Sequence, residues 1–376
     1  MSRLLFFVSS MQGGGAERVA ALLCNYWVAE GHDVMLVPTF SGRGTCLYEL
    51  DSRVRLNYLA DTVGKRGSSP IGKLIRLSAI RKMIRRQAPD VVLSFLTNVN
   101  VAVLLASWRL EVPVIVAERS YPGAMPVGTV LARLRGLTYP RARAVVMQTA
   151  QGKEWLSKHV PQARGVVIAN PCQYPLPTSV PVVDVNEKLR QGRRVLLSVG
   201  RLSGEKGYAI LIAAFAALSK SFNDWDLVIL GEGEERPALE EQVRHLRLCD
   251  RVRLFGRVGN LHDWYRRADL YVMSSLFEGF PNALLEAMSY GLPSVSFDCE
   301  TGPADLIRHG ENGLLVSPEH GAGGLRAALQ CLMANSGMRQ SMSGAARDVR
   351  DRYHVAMIGQ LWSSVLNLNR SANTEG

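Results

Sequence analysis

Two carboxylates eight residues apart mark the most informative stretch of this chain, Glu278-Gly-Phe-Pro-Asn-Ala-Leu-Leu-Glu286. A carboxylate can accept hydrogen bonds from two hydroxyls at once, which suits the vicinal diol of a sugar or a ribose. Pro281 predicts a helix that opens at this residue, because its missing N–H would be unpaired there anyway. Glu286 would then lie on the helix and Glu278 just before it. The structural alternative is that Glu278 caps the helix and Glu286 lies on the surface.

A second stretch, Gly200-Arg-Leu-Ser-Gly-Glu-Lys-Gly207, follows the apolar, strand-like run Val195–Val199. A loop of this kind before a helix presents free N–H donors and a favourable dipole, and Arg201 and Lys206 add fixed positive charge. These are the groups that a diphosphate needs, and they would stabilise the charge that develops on a departing diphosphate. The alternative is a solvated turn with a routine salt bridge to Glu205.

Two features of the first half could also do chemistry. Gly13-Gly14-Gly15 separates a strand-like run from a helical pattern, so its N–H groups could approach a phosphate or a sugar, or it could be a plain tight turn. It lacks the GxGxxG spacing of a dinucleotide-binding turn. Glu118 and Arg119 follow a buried strand and are predicted to point into a cleft, or else to pair with each other.

The elements that must position these residues alternate between strand and helix along the whole chain. This alternation predicts two parallel sheets, each covered on both faces, with a ligand cleft between two domains at the carboxyl ends of the strands. Four prolines between Asn170 and Gln191 indicate the linker. The predicted strands are Leu4–Ser10, Asp33–Thr39, Asp90–Phe95, Val112–Ala117, Ala144–Gln148, Val195–Val199, Leu227–Leu230, Val252–Phe255, Leu270–Met273, Pro293–Phe297 and a last one within Gly310–Val316. The predicted helices are Ala16–Glu30, Ile71–Gln87, Tyr208–Ser219, Pro237–Leu246, Leu261–Ala268 and Pro281–Tyr290, followed by a largely helical tail from Ala322 to Leu368.

The charge of the chain is concentrated in its first half. Residues 1–180 contain 22 basic and 10 acidic residues, a net charge of +12, which leaves −1 for the remainder. Such asymmetry indicates a polyanionic partner of the first half: an anionic membrane surface, a phosphate-bearing lipid or nucleic acid. The helix Ile71–Gln87 alternates basic and apolar residues, which fits a membrane surface or simply a packed helix with a solvated face. No RNA-recognition, KH or helix-turn-helix pattern supports nucleic acid.

Composition excludes several other classes. Six scattered cysteines without a CxxC pair predict a reduced, cytosolic chain rather than a disulfide framework or a zinc site. No apolar run is long enough to span a bilayer, so we expect a soluble or peripheral protein. Asp224-Trp225-Asp226 matches the spacing of a metal-binding DxD motif, but we interpret it as a solvated turn.

The Arg201–Lys206 and Glu278–Glu286 motifs, in this order and about 70 residues apart, resemble the C-terminal domain of family 4 glycosyltransferases, and the resemblance extends over nearly the whole chain. The resemblance implies an α/β GT-B fold, two Rossmann-like domains facing across a cleft. Residues 1–170 would bind the acceptor, 171–191 would form the linker, and 192–355 would bind the nucleotide sugar. Residues 356–376 would form a helix that crosses back to the first domain and then a frayed tail.

The resemblance also assigns roles to residues. The catalytic set would be Arg201, Lys206, Glu278 and Glu118. Glu286 would bind ribose hydroxyls, Glu278 the transferred sugar, and the turn at Arg257-Val258 the base, with a plain strand end as the alternative for that turn. The remaining donor-binding residues would be Gly14, Gly15, Gly279, Phe280, Pro281 and Asn282, and the acceptor-binding residues Gly13, Glu118, Arg119, Lys73, Arg76 and Arg81. Many family members carry a His where this chain has Glu118-Arg119, and a subset acting on lipid-linked oligosaccharides carries an acidic residue there.

The implied activity is retaining, metal-independent transfer of a hexose or N-acetylhexosamine from a UDP-sugar, with no cofactor, because Arg201 and Lys206 take the place of a metal. Thr301-Gly302-Pro303 resembles members that use polyprenyl-diphosphate carriers, with an ordinary turn as the alternative. The expected partners are the UDP-sugar, a polyprenyl-diphosphate-linked saccharide and an anionic membrane surface, without nucleic acid. The expected location is the inner face of the bacterial cytoplasmic membrane. Two rivals remain: an epimerase-like UDP-sugar enzyme, and a non-catalytic sugar-nucleotide-binding subunit of a membrane complex.

Overall fold

The computed structural model describes residues 1–64 and 70–368, and the frayed tail predicted at Ser371–Gly376 lies outside the described residues. The chain divides into two compact units, one built from residues 1–171 together with the C-terminal segment that begins at Val355, and the other from Cys172–His354. Labels number the elements along the chain.

The first unit is a parallel sheet between two layers of helices. Among the described residues its strands are β1 (Arg3–Val8), β2 (Asp33–Pro38), β3 (Arg55–Leu56), β4 (Val91–Phe95), β5 (Val114–Ala117), β6 (Ala144–Met147) and β7 (Gly165–Val167). Its helices are α1 (Gly15–Ala29), α2 (Leu59–Val63), α3 (Pro70–Gln87), α4 (Thr97–Ala106), α5 (Thr129–Thr138), α6 (Ala150–His159) and, at the end of the chain, α16 (Val355–Leu366). The strand order is β3-β2-β1-β4-β5-β6-β7, so the direction of winding reverses between β1 and β4.

The second unit repeats this plan with a sheet in the order β10-β9-β8-β11-β12-β13, whose winding reverses between β8 and β11. Its strands are β8 (Arg194–Val199), β9 (Trp225–Leu230), β10 (Val252–Gly256), β11 (Leu270–Met273), β12 (Ser294–Phe297) and β13 (Gly313–Val316). Its helices are α7 (Val185–Lys188), α8 (Tyr208–Leu218), α9 (Arg236–His245), α10 (Leu261–Arg267), α11 (Asn282–Ser289), α12 (Pro303–Leu306), α13 (Gly321–Ala334), α14 (Ser336–Ala346) and α15 (Val349–Arg352).

The last helix, α16, packs into the first unit. Trp362 is fully buried, and its ring centroid lies 5.7 Å from that of Phe95 at the end of β4. Trp27 of α1 donates from Nε1 to the Ser363 hydroxyl at 3.2 Å. Gly359 allows close contact with α1, because a Cβ there would lie 2.4 Å from the Tyr26 ring. Residues far apart in sequence therefore complete one core.

Two local predictions were wrong. Pro281 does not open a helix: it is the N-cap of α11, whose first turn begins at Asn282, and its carbonyl accepts the N–H of Leu285 at 3.0 Å. Asp226 is not in a solvated turn but in β9, where it is 5% exposed and binds Arg193 at 2.6 Å and Arg251 at 3.0 Å. Residues 171–191, the predicted linker, include the short helix α7, and their role as a linker stays a prediction.

Candidate functional site

The two motifs of the second unit meet where the sheet reverses its winding. The loop after β8 carries Arg201 and Lys206, and the loop after β11 carries Glu278. Two hydrogen bonds join these loops directly: Leu276 donates its N–H to the Glu205 carbonyl, and the Ser274 hydroxyl donates to the Lys206 carbonyl, both at 2.8 Å. In doubly wound sheets, ligands bind at this point, beyond the carboxyl ends of the strands.

Gly207 permits this close approach of the two loops. Its φ of +62° lies in the left-handed region, and a Cβ there would lie 2.3 Å from the Ser274 carbonyl oxygen. Only glycine avoids both the strain and the clash. The last glycine of the Arg201–Lys206 motif is thus explained by packing against the second loop.

Lys206 and Glu278 form an ion pair across the two loops. Lys206 Nζ lies 2.6 Å from Glu278 Oε1, and the Ser275 hydroxyl donates to the same oxygen at 2.7 Å. The two side chains are 22% and 13% exposed, so the pair is partly shielded but reachable. The alternative pairing of Lys206 with Glu205 is not what the structure shows, since Glu205 accepts from the Ser203 hydroxyl at 2.6 Å. Arg201, by contrast, is exposed beside the buried Leu202.

Glu286 is buried on α11, at 6% exposure, rather than lying on the surface. Tyr265 of α10 donates its hydroxyl to Glu286 Oε2 at 3.1 Å. Its ring is stacked with that of Tyr290, with centroids 5.5 Å apart. A carboxylate held in this way is oriented before any ligand arrives. The alternative of Glu278 as a helix cap is also excluded, because no side chain caps α11.

The Thr301-Gly302-Pro303 turn braces the Glu278 loop from the other side. The Thr301 hydroxyl donates to the Glu278 carbonyl, and a Cβ on Gly302 would lie 2.6 Å from Pro281 Cδ. Phe280 is buried, and its ring makes an edge-to-face contact with that of Tyr353, at 5.6 Å between centroids. The segment Gly279–Asn282 is therefore fixed between the turn and the end of α15.

Arg257 and Val258 follow β10 in an irregular loop, with Arg257 exposed and Val258 buried. The neighbouring residue, Gly259, is held by two backbone hydrogen bonds to the segment around Val180. Its N–H donates to the Pro181 carbonyl at 2.7 Å, and its carbonyl accepts from the Ser179 N–H at 2.9 Å. This loop follows the carboxyl end of β10, which is the edge strand of the sheet. Strand β9 lies between β10 and β8, the strand whose loop carries Arg201 and Lys206.

In the first unit, the glycine loop after β1 is shaped by a residue that sequence reasoning missed. The Tyr48 hydroxyl accepts the Gly14 N–H and donates to the Gly14 carbonyl, both at 2.7 Å. Gly13 has a φ of +124°, which favours glycine, and Gly15 begins α1. Glu17 in the first turn accepts from the Ser10 hydroxyl at 2.9 Å. Gly13 and Gly15 remain exposed.

Glu118 points into the interior of the first unit and does not pair with Arg119. It is 2% exposed, and it accepts hydrogen bonds from Thr97 at 2.8 Å and from Tyr139 at 2.5 Å. Burial raises the pKa of this carboxyl, against the opposing effect of those hydrogen bonds. Successive side chains of an extended segment point to opposite sides, which separates Glu118 from Arg119.

Arg119 occupies a different environment. Its guanidinium lies over the Phe95 ring at 4.4 Å and donates from Nη2 to Asn170 Oδ1. Within the part of the chain that the structure describes, its Nε and Nη1 atoms have no hydrogen-bond partner. Burial lowers the pKa of this guanidinium to about 9. A buried cation with so few partners is costly, which makes Arg119 a candidate for binding an anion.

The predicted acceptor-binding residues of α3 are placed differently from one another. Lys73 is exposed and Arg76 is half-buried. Arg81 donates from Nη1 to the carbonyls of Ala106 and Trp108, at 2.8 and 2.7 Å, and so serves the C-terminal end of α4. These three residues do not form one cluster with Glu118.

Over the described residues, no helix is long and apolar enough to cross a membrane. The same residues contain no group of three or more His, Cys, Asp or Glu side chains placed to hold a metal ion. All six cysteines are free thiols.

Comparison with known proteins shows two family models in succession. The glycosyl transferase 4-like domain matches residues 14–171, and the model described as glycosyl transferases group 1 matches residues 183–349. The matches adjoin the unit boundary at residue 171. The chain belongs to the glycosyltransferases that combine these two domains.

Individual relatives span the whole chain. A Campylobacter jejuni enzyme named GalNAc-α-(1→4)-GalNAc-α-(1→3)-diNAcBac-PP-undecaprenol α-1,4-N-acetyl-D-galactosaminyltransferase is 26% identical over 371 residues, 97% of this chain and 98% of its own. The amylovoran biosynthesis glycosyltransferase AmsD of Erwinia amylovora is 26% identical over 369 residues, 98% of this chain and all of its own. The crystal structure of HepE from Anabaena, in complex with UDP, superposes with a TM-score of 0.79 at 18% identity, covering 97% of this chain and 99% of its own. The expected GT-B fold is confirmed, and the protein is a glycosyltransferase.

Proposed function

We propose that this glycosyltransferase moves a hexose or N-acetylhexosamine from a UDP-sugar to a polyprenyl-diphosphate-linked saccharide, with retention of the anomeric configuration. The observation that carries the proposal is the Lys206–Glu278 pair at the winding reversal of the second sheet, beside the oriented carboxylate of Glu286. One relative spanning nearly the whole chain is named for an undecaprenyl-diphosphate-linked acceptor, and another for polysaccharide biosynthesis. UDP is bound by a protein of the same fold.

In the second unit, different residues would bind the diphosphate, the ribose and the base of the donor. Lys206 and the exposed Arg201 would neutralise the diphosphate, as two fixed cations after a buried strand are suited to do. Glu286 would accept hydrogen bonds from the ribose hydroxyls, and main-chain groups at Arg257-Val258 would contact the base. The backbone N–H groups of Gly279–Asn282 would face the phosphates, with Phe280 and Pro281 holding that segment in place.

The ion pair itself suggests how binding begins. Lys206 and Ser275 both donate to Oε1 of Glu278, so neither donor occupies Oε2. An arriving diphosphate would draw the Lys206 ammonium toward its own oxygens, because it offers more negative charge than one carboxylate. Glu278 would then accept hydrogen bonds from hydroxyls of the sugar.

The proposed chemical step is attack on the same face as the leaving group. The acceptor hydroxyl oxygen bonds to the anomeric carbon while the bond from that carbon to the β-phosphate oxygen breaks. The hydroxyl proton passes to the departing phosphate oxygen, and UDP leaves with its charge stabilised by Arg201 and Lys206. Positioning and charge neutralisation supply the catalysis, without a bound metal or another cofactor.

The first unit would bind the acceptor. Gly13 would contact the acceptor, and Gly14 and Gly15 would contact the donor, through backbone N–H groups of the loop before α1. Arg119 would supply positive charge to the acceptor, and Lys73, Arg76 and Arg81 would extend that charge along α3. Glu118 is enclosed by Thr97 and Tyr139, so it would contribute to catalysis indirectly, by holding the C-terminal end of β5 in position. The enzyme would work peripherally at the inner face of the cytoplasmic membrane.

A transfer assay tests the proposal. Purified protein is given UDP- and GDP-sugars and a short polyprenyl-diphosphate-linked saccharide, without added metal, and products are weighed by mass spectrometry. A product one sugar heavier, with an anomeric configuration like that of the donor, is the expected result. Conversion of the UDP-sugar without an acceptor would favour an epimerase-like enzyme instead, and UDP binding without turnover would favour a binding subunit.

A further inference from the structure

The carboxyl edge of the first sheet holds a buried cluster of three polar side chains, of which the proposed function uses Arg119 alone. Arg119 follows β5, Gln148 directly follows β6, and Asn170 follows β7. These strands are neighbours in the sheet. The three residues are 9%, 6% and 2% exposed. Ligands of such sheets bind beyond the carboxyl ends of the strands, which makes this polar cluster a candidate site.

One oxygen atom organises the polar cluster. Arg119 donates from Nη2 to Asn170 Oδ1, and Gln148 donates from Nε2 to the same oxygen at 2.9 Å. A guanidinium can only donate, so Asn170 must turn its oxygen rather than its nitrogen toward Arg119. Gln148 must then turn its nitrogen toward that oxygen. The orientation of both amides is therefore fixed, and Oε1 of Gln148 points away from Asn170.

Three atoms of the polar cluster are buried without a hydrogen-bond partner within the described residues. They are Nε and Nη1 of Arg119 and Oε1 of Gln148. Exchanging the oxygen and nitrogen of Gln148 would not help, since it would bring two acceptors together at Asn170. A buried donor or acceptor without a partner is costly, and native structures rarely leave several side by side. These atoms therefore indicate a ligand that supplies both acceptors and a donor.

The polar cluster lacks hydrogen-bond partners more than it lacks negative charge. Burial lowers the pKa of the Arg119 guanidinium, and the nearby carboxylate of Glu17 acts in the opposite direction. An anion bound to Arg119 would be repelled by Glu17 and would offer no donor to Gln148 Oε1. The cost of burying Arg119 would by itself suit an anion, but its two neighbours favour a neutral group that both accepts and donates.

Burial narrows the chemical class of this neutral group. Because so little of Arg119 and Gln148 is exposed, a substituent can reach their unpaired atoms more readily than a whole sugar ring can. A hydroxyl stays close to its ring and carries its donor and its acceptor on one atom. An acetamido group extends further from the ring, and its carbonyl acceptor and N–H donor are separate atoms, as are the groups that they would meet on Arg119 and Gln148.

We infer that Arg119 and Gln148 bind the acetamido group of an N-acetylated acceptor saccharide. The acetamido carbonyl would accept from the Arg119 guanidinium, and the acetamido N–H would donate to Gln148 Oε1. Asn170 is the positioning residue that holds the two side chains next to each other. The inference rests on the proposed function for the saccharide acceptor and adds the substituent by which that saccharide is recognised.

The test compares three lipid-linked acceptors whose terminal sugars differ in one substituent: acetamido, O-acetyl or hydroxyl. The O-acetyl ester keeps the carbonyl and lacks only the N–H. Wild type should use the O-acetyl acceptor with a kcat/KM about tenfold lower than the acetamido acceptor, because Gln148 Oε1 stays unpaired. The hydroxyl acceptor should be used less well still. Equal kcat/KM for the acetamido and hydroxyl acceptors would overturn the inference, since water would then serve the polar cluster equally well.

Two variants assign the preference to the polar cluster. Gln148→Met removes the amide at similar length and should abolish the difference between acetamido and O-acetyl acceptors. Arg119→Lys keeps the charge but loses the guanidinium N–H groups, so the preference for acetamido over hydroxyl should fall about tenfold. Gln151→Met, at an exposed position of α6, is the control. Each ratio is measured on one sample, so partial unfolding of a variant cancels. Unchanged ratios in Gln148→Met and Arg119→Lys would contradict the assignment.

A binding experiment separates this inference from the proposed function. Methyl glycosides of N-acetylglucosamine and N-acetylgalactosamine, with the parent methyl hexosides, are titrated without donor or lipid and followed by saturation-transfer NMR. If lipid-linked saccharides are extended but no acetamido preference appears in transfer or in binding, the inference is wrong and the function stands. If acetamido-dependent binding is lost in Gln148→Met while no lipid-linked saccharide is extended, the site stands and the proposed function fails.

Discussion

At the scale of single residues, the side chains of the proposed donor site have sharply different surroundings. Lys206 and Glu278 neutralise each other in a partly shielded pair, whereas Glu286 is buried and held by the Tyr265 hydroxyl. The first arrangement can be rearranged by a ligand. The second is oriented in advance, so it is suited to recognition rather than to movement.

Replacing Lys206 with alanine should lower kcat for transfer by roughly 100-fold, because one of two cations opposite the leaving diphosphate is removed. Stability should change little, since the pair is partly exposed. Lys220→Ala removes an exposed lysine of the same unit and serves as the control. Steady-state kinetics at saturating donor measure both variants. If both retained wild-type kcat, Lys206 would have no part in the chemical step.

The proposed contact between Glu286 and the ribose can be isolated with a modified ligand. Glu286→Gln should weaken UDP binding by roughly 1–3 kcal/mol, because a charged acceptor for hydroxyl donors becomes neutral. It should weaken binding of 2′-deoxy-UDP much less. Calorimetric titration of both ligands into both proteins gives the coupling energy. Equal losses of binding free energy for the two ligands would show that Glu286 does not contact the 2′-hydroxyl.

The buried carboxyl of Glu118 should make stability depend on pH. Its folded-state pKa lies above that of the unfolded chain because burial disfavours the charged form. The stability it contributes is therefore fully present below the unfolded pKa and is lost as pH rises through the folded value. Glu118→Gln should then gain stability relative to wild type at pH 8 and lose that advantage toward pH 4.5. Urea unfolding at both pH values measures the difference, and a constant offset would show that Glu118 does not titrate in this way.

At the scale of elements, the structure shows how the sheet order brings distant loops together. The loops after β8 and β11 are about 70 residues apart in sequence, yet their strands are neighbours. Helix α16 shows the same effect, since it lies at the end of the chain and packs on α1 and β4 of the first unit.

The packing of α16 can be tested with two positions on the same helix. Trp362→Ala should destabilise the first unit by about 3–5 kcal/mol, because it empties a fully buried site against Phe95. Leu361→Ala, where the side chain is 47% exposed, should cost much less. Chemical denaturation followed by fluorescence compares the two. A loss of stability at Trp362 as small as the loss at Leu361 would mean that α16 contributes little to the core.

The sequence predicted strands more reliably than it predicted side-chain contacts. The run Val195–Val199 indicates a buried strand, because both faces of a parallel sheet are covered, and β8 lies at Arg194–Val199. The Lys206–Glu278 motifs were likewise found from residue types and order. The contact between Tyr48 and Gly14 was not predictable, since it depends on the path of an irregular loop. The separation of Glu118 from Arg119 required knowledge of what each side of β5 packs against.

At the scale of the whole molecule, the two units differ in charge although they share a plan. Residues 1–180 have a net charge of +12 and the remainder −1, so the excess positive charge lies in the first unit. The proposed donor site lies in the nearly neutral second unit, where local cations rather than net charge would hold the diphosphate.

Salt should therefore act on the two substrates unequally. Raising ionic strength from 0.05 to 0.5 M should strongly reduce turnover of an acceptor embedded in anionic vesicles, because the Debye length falls well below about 10 Å. The KM for the donor should change much less, since its partners are local and partly shielded. The same acceptor in neutral detergent is the control. Identical salt dependence in vesicles and detergent would contradict a role for the basic unit at the membrane.

The most direct measurement of the central claim is mass-spectrometric transfer with the sugar-nucleotide panel and a short polyprenyl-diphosphate-linked saccharide, comparing wild type with Lys206→Ala. The account predicts an acceptor heavier by one sugar with wild type, an anomeric configuration retained from the donor, and a rate lower by roughly 100-fold with the variant. Wild type that binds UDP but extends no lipid-linked saccharide with any donor would contradict it.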